Sequence, residues 1–145
     1  MQDKSEAMIE TVKEYFRRSD AGSPTIVDLF VPDMRFYFPK YGLGTGRQAF
    51  AELGRGLRSW TDGIVHDFTD YMFLTARNFV VVEGTTSGKT KSGKTWEAGK
   101  TPGGRFCNVF EFDGPLIARV HIYLDPDYTS EDEARFHWGR QGRTW

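Results

Sequence analysis

The spacing of apolar residues changes partway along the chain, and this change constrains the fold more than any other feature. In the first part of the sequence, apolar residues recur at the spacing of one helix face in two separate stretches. These residues are Met8, Val12, Tyr15 and Phe16 in the first stretch, and Phe50, Leu53, Leu57 and Trp60 in the second. From Ile64 onward, β-branched and aromatic runs are separated by turn residues. Helices followed by strands predict an α+β domain in which the helices pack against one face of a sheet.

Turn residues and prolines divide these stretches into elements. The first helix is expected to end within 19–22, and Ser23 followed by Pro24 predicts a brief second helix that stops before Pro32. After an aromatic strand over 34–38, four runs predict strands that short turns connect as an antiparallel meander. These runs are 64–74, 79–86, 105–112 and 116–124. One domain is thus predicted over 1–128, with a C-terminal helix at 131–138 and a polar tail within 129–145.

The composition favours a single cytoplasmic domain with an enclosed apolar pocket. The length of 145 residues suits one domain, and 19 basic against 20 acidic residues give no field that attracts nucleic acid or a membrane. The single cysteine, Cys107, excludes an internal disulfide and fits a reducing compartment. The polar start and the lack of an apolar run of about 18 residues argue against a secretion signal or a membrane span. Aromatic residues make up 15% of the chain, so some rings are expected to line a cavity or an interface.

One segment matches a nucleotide-binding pattern without its structural context. Residues 88–95 read Gly-Lys-Thr-Lys-Ser-Gly-Lys-Thr, which fits G-x-x-x-x-G-K-[ST] after a predicted strand. A phosphate-binding loop needs a helix that starts at its Lys-Thr, and the glycines and proline of 99–104 prevent one here. A solvated hairpin tip is predicted instead. The basic stripe around Trp96 is interpreted as a charged hairpin that binds no nucleic acid, and the three dispersed histidines give no metal-binding spacing.

Short motifs along the chain carry a resemblance to a known fold family. They are Tyr15-Phe16, Asp28-Leu29-Phe30, Gly44-Thr45-Gly46-Arg47, Glu83-Gly84 and Phe110-Glu111-Phe112, with Ile117, Arg119, Tyr123 and Asp125 on the last strand. Together with the element order, they make residues 5–126 similar to the nuclear transport factor 2-like superfamily, and to its SnoaL-like members in particular. The resemblance implies a cone-like, curved antiparallel (mixed) sheet wrapped around the N-terminal helices, and a homodimer formed through that sheet. The superfamily includes ketosteroid isomerase and polyketide cyclases.

The resemblance to ketosteroid isomerase implies roles for three residues. Tyr15 falls where that enzyme has the first-helix tyrosine that donates a hydrogen bond to the substrate oxyanion. Asn108 falls where it has a protonated aspartic acid that donates the second such bond, and an amide can also donate. Phe38 falls where it has the aspartate that acts as general base. The resemblance therefore implies that Tyr15 and Asn108 could hold a carbonyl, whereas the usual base is missing.

A replacement base could come from His121, or from Glu83 or Asp125 if burial raises the pKa of the carboxyl. The strand register decides the placement of His121. If Phe112 pairs with Ile117, His121 faces Asn108 inside the pocket, whereas a shift of one residue puts Val120 opposite Asn108 and turns His121 outward. Both registers remain open from the sequence. The walls of the pocket are expected to include Phe38, Phe110 and Trp60.

Two functions follow from this pattern. The first is a cofactor-free acid-base enzyme, such as a cyclase, isomerase, hydratase or dehydratase, that acts on a hydrophobic carbonyl or epoxide compound with Tyr15, Asn108 and His121 as catalytic residues. The second is a noncatalytic module of the same fold that binds a ligand or forms dimers, which the loss of the carboxylate at Phe38 favours.

Overall fold

The computed structural model describes residues 3–136 and 142–145. Helix α1 spans Lys4–Asp20, helix α2 spans Arg47–Trp60, and short 3₁₀ helices lie at Pro24–Leu29, Phe68–Asp70 and Glu133–Phe136. The strands are β1 (Phe30–Phe38), β2 (Gly42–Thr45), β3 (Thr61–His66), β4 (Met72–Ala76), β5 (Phe79–Thr90), β6 (Thr95–Trp96), β7 (Arg105–Asp113) and β8 (Leu116–Leu124). The predicted α+β order of elements is confirmed.

The strands form one curved, mixed sheet. Its neighbour order is β2-β1-β8-β7-β5-β3, and β4 and β6 also pair with β5. Strand β1 runs parallel to β8, whereas the pairs β3–β5, β5–β7 and β7–β8 are antiparallel. The twelve residues of β5 pair with β4 and β7 along their first half and with β3 and β6 along their second half.

The core lies between the helices and the inner face of this sheet. Because side chains alternate between the two faces of a strand, every second residue of β5, β7 and β8 points toward the helices. Val12 and Phe16 of α1 and Val82, Phe110 and Val120 of the sheet are all 0% exposed. Their aliphatic and aromatic side chains therefore form one continuous apolar layer, which supports the cavity described below.

Two predicted elements differ from the structure. The run over 64–74 is not one strand, because a 3₁₀ turn at Phe68–Asp70 separates β3 from β4. The Asp67 carboxylate accepts a hydrogen bond from the Thr69 backbone N–H at 3.2 Å, which stabilises that turn. The predicted C-terminal helix is represented by the 3₁₀ helix Glu133–Phe136, and 137–138 lie outside the described residues.

The segment that matches the phosphate-binding pattern forms the tip of the β5–β6 hairpin. The Thr90 N–H donates to the Lys94 carbonyl at 2.8 Å, and Gly93 adopts a φ of 93° that favours glycine. Strand β6 follows where a phosphate-binding loop would need a helix, so the hairpin prediction is confirmed. Trp96 is 1% exposed and packs inside the fold.

Among the described residues, neither helix combines the length and the apolar content that crossing a membrane requires.

Candidate ligand-binding cavity

A cavity of about 480 Å³ lies between α1, the 3₁₀ helix Pro24–Leu29, α2 and the inner face of the sheet. Its walls combine apolar side chains with a set of arginines. The apolar side chains are Tyr15, Ile26, Val27, Phe50, Leu53, Leu57 and Ile122. This volume is in the range that holds a small organic ligand. The cavity is therefore the candidate site for a ligand.

The helical spacing explains which residues reach the cavity. Phe50, Leu53 and Leu57 follow one another at intervals of three and four residues, so they share one face of α2. Tyr15 lies on the face of α1 that points toward the sheet, and it is 5% exposed. Ile122 comes from β8 and closes the cavity from the sheet side.

The Tyr15 hydroxyl is the hydrogen-bonding group in the apolar wall of the cavity. The ring packs edge-on against Phe110 and Phe16, with ring centroids 5.1 and 5.3 Å apart. No described residue forms a hydrogen bond with the hydroxyl. Burial raises the pKa of Tyr15 well above its usual range, and the nearby Tyr128 and Asp20 raise it further. The hydroxyl therefore stays protonated at neutral pH and can donate to a ligand oxygen.

Asn108 lies on the same inner face, one layer behind the cavity wall. It is 3% exposed and pairs with Ile122, which lines the cavity. Its Oδ1 atom is buried and has no hydrogen-bond partner among the described residues. The ring of Phe110, two residues further along β7, contacts the Tyr15 ring. The structure thus brings Tyr15 and Asn108 to one side of the sheet, but Asn108 is not a wall residue of the cavity.

His121 lies on the opposite face of the sheet, so it does not join Tyr15 and Asn108. Phe112 does pair with Ile117. The next pair in the ladder is Glu111 with Arg119, so Ala118 of β8 has no partner on β7 and forms a bulge. This bulge shifts the register by one residue, so that His121 pairs with Val109 and faces outward. The expectation that pairing of Phe112 with Ile117 places His121 in the pocket is therefore wrong, and Asn108 pairs with Ile122 rather than with His121 or Val120.

The outward position also determines the environment of His121. The ring lies 6.0 Å from the Tyr37 ring, and Nδ1 is 3.2 Å from the Tyr123 hydroxyl. Partial burial lowers the pKa of His121, and the guanidinium groups of Arg119 and Arg35 lower it further.

The other two candidate bases also lie away from the cavity. Glu83 is exposed and pairs with Cys107, so it shares the outer face of the sheet. Partial burial raises the pKa of the Cys107 thiol, and the charge of the neighbouring Glu83 raises it further. Asp125 is exposed in the loop after β8, where its carboxylate accepts a hydrogen bond from the Asp127 N–H at 2.9 Å. Neither carboxylate can contact a ligand in this cavity.

The three aromatic residues expected in the pocket walls occupy different positions. Phe38 and Phe110 are 6% and 0% exposed and belong to the core behind the cavity. Trp60, at the end of α2, lines a separate open cleft of about 520 Å³. Its ring centroid lies 5.7 Å from that of Tyr128. None of the three lines the cavity that Tyr15 faces.

Four arginines line the cavity, and the sequence analysis did not identify them. They are Arg18, Arg47, Arg55 and Arg58. Neither a carboxylate nor a histidine is among the described side chains that line it. The sequence does contain a signal for the three arginines of α2. Arg55 and Arg58 are three residues apart and Arg47 lies two turns earlier, so this spacing places them near one face of the helix.

A contact between Asp20 and His66 was also missed. The Asp20 carboxylate lies 2.5 Å from His66 Nδ1 and accepts a second hydrogen bond from the His66 N–H at 2.7 Å. The His66 ring stacks on Phe16 with centroids 4.7 Å apart. Since both hydrogen bonds join the end of α1 to β3, they fix the helix against the sheet beside the cavity.

Fold and cavity together define a nuclear transport factor 2-like protein, and comparisons with known proteins agree. The SnoaL-like domain family matches residues 12–120. The chain therefore belongs to the SnoaL-like domain family. A comparison with curated proteins gives no match.

Solved structures confirm the fold. A nuclear transport factor 2-like protein from Anabaena variabilis is 20% identical, with a TM-score of 0.71 over 89% of this chain and 97% of that one. A candidate polyketide cyclase from Xanthomonas campestris is 15% identical, with a TM-score of 0.68 over 85% and 93% of the two chains. A protein from Catenulispora acidiphila with a ketosteroid isomerase-like fold, in complex with trimethylamine, is 17% identical, with a TM-score of 0.67 over 83% and 88%. At these identities, the likeness concerns the fold alone.

Proposed function

We propose that this protein binds an apolar small molecule in the cavity and that Tyr15 donates a hydrogen bond to an oxygen atom of that ligand. The observation that carries the proposal is the hydroxyl of the buried Tyr15, which lies beside the apolar side chains of the cavity and has no hydrogen-bond partner among the described residues. A buried hydroxyl without a partner costs free energy, and a ligand oxygen removes that cost. A structural neighbour with a ketosteroid isomerase-like fold is in complex with the small molecule trimethylamine, which supports the proposal.

The residues favour binding over acid-base catalysis. General base catalysis needs a group that takes up a proton near neutral pH and lies within hydrogen-bond distance of the ligand. The described side chains around the cavity are apolar, hydroxyl-bearing, amide or arginine side chains, and His121, Glu83 and Asp125 lie elsewhere. The ligand-binding alternative is therefore the better supported of the two functions.

Acid-base catalysis remains the second candidate, since a structural neighbour is described as a candidate polyketide cyclase. A hydrogen-exchange assay separates the two. We expect the protein to bind 2-acetylnaphthalene, an apolar ketone, in calorimetry, and the Tyr15→Phe variant to bind it about fivefold to tenfold more weakly. In deuterium oxide, we expect no acceleration of deuterium uptake at the acidic carbon of 2-tetralone. Acceleration that Tyr15→Phe abolishes would support catalysis instead.

The proposal includes a homodimer formed through the outer face of the sheet. Leu74 and Tyr123 are 53% and 48% exposed on this face. Leu74 pairs with Val81, and Val81 pairs with Val109, so these three apolar side chains form one row across the face. Exposed apolar patches of this kind are typical of protein interfaces. Light scattering should give twice the chain mass of 16.6 kDa, and Leu74→Glu should give the monomer. Thr75→Glu, next to it on the other face, is the control that should stay dimeric. A monomeric wild-type protein would refute this part.

A further inference from the structure

We propose that the ligand of this cavity is an apolar molecule with a carboxylate head group, and that Arg55 and Arg58 bind the carboxylate. This inference rests on the proposed function and specifies its ligand class. The charged side chains around the cavity, not its apolar walls, indicate a carboxylate.

All charged side chains among the described walls are positive. Arg18 is compensated, because its Nε lies 2.8 Å from the Glu14 carboxylate. Arg47 donates to the Phe30 carbonyl, and its buried Nε has no hydrogen-bond partner among the described residues. Arg55 and Arg58 form no ion pair with any described carboxylate. Three of the four guanidinium groups therefore lack an anion within the described part of the chain.

The backbone around Arg58 leaves space for its guanidinium group beside the cavity. A Cβ atom at Gly54 would lie 3.1 Å from Arg58 Nη1, and one at Gly22 would lie 3.7 Å from Arg58 Cδ. The side chain thus extends from α2 across to the turn after α1, and both glycines line the same cavity. A glycine inside a helix costs about 1 kcal/mol of helix stability relative to alanine. At position 54, the missing side chain leaves room for the guanidinium group of Arg58.

The nearby acidic groups do not supply the missing anion. Glu14 bonds to Arg17 and Arg18, and Asp20 bonds to His66. A guanidinium group is planar and carries several N–H donors, which suits the two oxygens of a carboxylate. Together with the apolar side chains of the wall, the arginines select a ligand whose carboxylate contacts them and whose apolar body contacts that wall.

Two pairs of probes test this inference by calorimetry in low salt. Each pair keeps the apolar body and the carbonyl and changes only the charge. The pairs are 2-naphthoate with 2-acetylnaphthalene, and nonanoate with 2-decanone. We expect the tighter-binding pair to show a preference of about tenfold for the carboxylate, as expected of a charge-assisted contact at a partly exposed site. We also expect the carboxylate affinity, but not the ketone affinity, to fall as salt is added.

Matched variants separate this inference from the proposed function. Arg55→Gln and Arg58→Gln should each weaken carboxylate binding about fivefold to tenfold more than they weaken ketone binding. Arg77→Gln, which removes the same charge from an exposed turn between β4 and β5, should change neither affinity. Equal binding of carboxylate and ketone, with loss of ketone binding in Tyr15→Phe, would overturn the carboxylate inference and retain the binding function. If no probe binds, both are wrong.

Discussion

Replacing two buried tyrosines by phenylalanine should have different effects on stability, although both lie in the same aromatic layer. Tyr15 and Tyr71 are 5% and 9% exposed, and both rings contact Phe16. The Tyr71 hydroxyl donates to the Thr85 carbonyl, whereas no described residue accepts from Tyr15. Phenylalanine keeps the ring contacts at both positions and removes only the hydroxyl, so the pair isolates the contribution of that group.

The expected magnitudes follow from the hydrogen bonds. Loss of the bond at Tyr71 should lower the free energy of unfolding by about 1 to 1.5 kcal/mol. At Tyr15, removal of a buried hydroxyl without a partner should leave the free energy of unfolding unchanged or raise it by up to about 1 kcal/mol. Urea denaturation followed by circular dichroism measures both, and equal m-values would show that the unfolded state is unchanged. The two variants should thus differ by about 1 to 2.5 kcal/mol.

Alkaline pH gives a second readout of the same variants. Burial raises the pKa of Tyr15 and of Tyr71 above the value of about 10 that a tyrosine has in the unfolded chain. Since the folded pKa is the higher one, these groups stabilise the fold fully below pH about 10 and lose this effect as the pH rises further. Each phenylalanine variant should therefore reduce the loss of stability above pH about 10. If Tyr15→Phe costs as much as Tyr71→Phe at neutral pH, the Tyr15 hydroxyl has a structural partner and is not free for a ligand.

Two further predictions concern residues outside the cavity. Asp20→Asn should lower the free energy of unfolding in urea denaturation by about 1 to 3 kcal/mol, because it weakens both hydrogen bonds to His66. The control Asp62→Asn, at an exposed position of β3, should change that free energy by less than about 0.5 kcal/mol. His121 has a lowered pKa in the folded state, so its share of stability is lost as the pH falls below the unfolded value of about 6.5. His121→Gln should therefore flatten the pH dependence of the melting temperature between pH about 7 and 5, and an unchanged slope would contradict this.

Most of the fold could be predicted because its signals are local. The apolar stripe of α1, which includes Val12 and Phe16, and the glycine turns between strands determine the elements directly. The break at Phe68–Asp70 was missed because 64–74 contains no glycine or proline, and the Asp67 carboxylate that stabilises the turn is a weaker signal.

The site could be predicted only where it depends on one element. Tyr15 follows from the helical period of α1 alone, so its position on the inner face agrees with the sequence analysis. The face that His121 occupies depends on a bulge at Ala118, and a bulge formed by an ordinary residue leaves no mark in a single sequence. The arginines were missed because a charged residue on a helix usually faces solvent, and only the tertiary arrangement of α1, α2 and the 3₁₀ helix Pro24–Leu29 places them around a cavity.

The groups that face the cavity determine which chemistry it can support. A neutral tyrosine hydroxyl and guanidinium groups all donate hydrogen bonds, so they can stabilise negative charge on a ligand. None of them takes up a proton near neutral pH, so removal of a proton from the ligand has no acceptor among the described side chains of the wall. The carboxylate that ketosteroid isomerase has at the position of Phe38 is thus not replaced by His121, Glu83 or Asp125. A cavity that offers donors without a base favours a ligand that is already anionic over one that must lose a proton there.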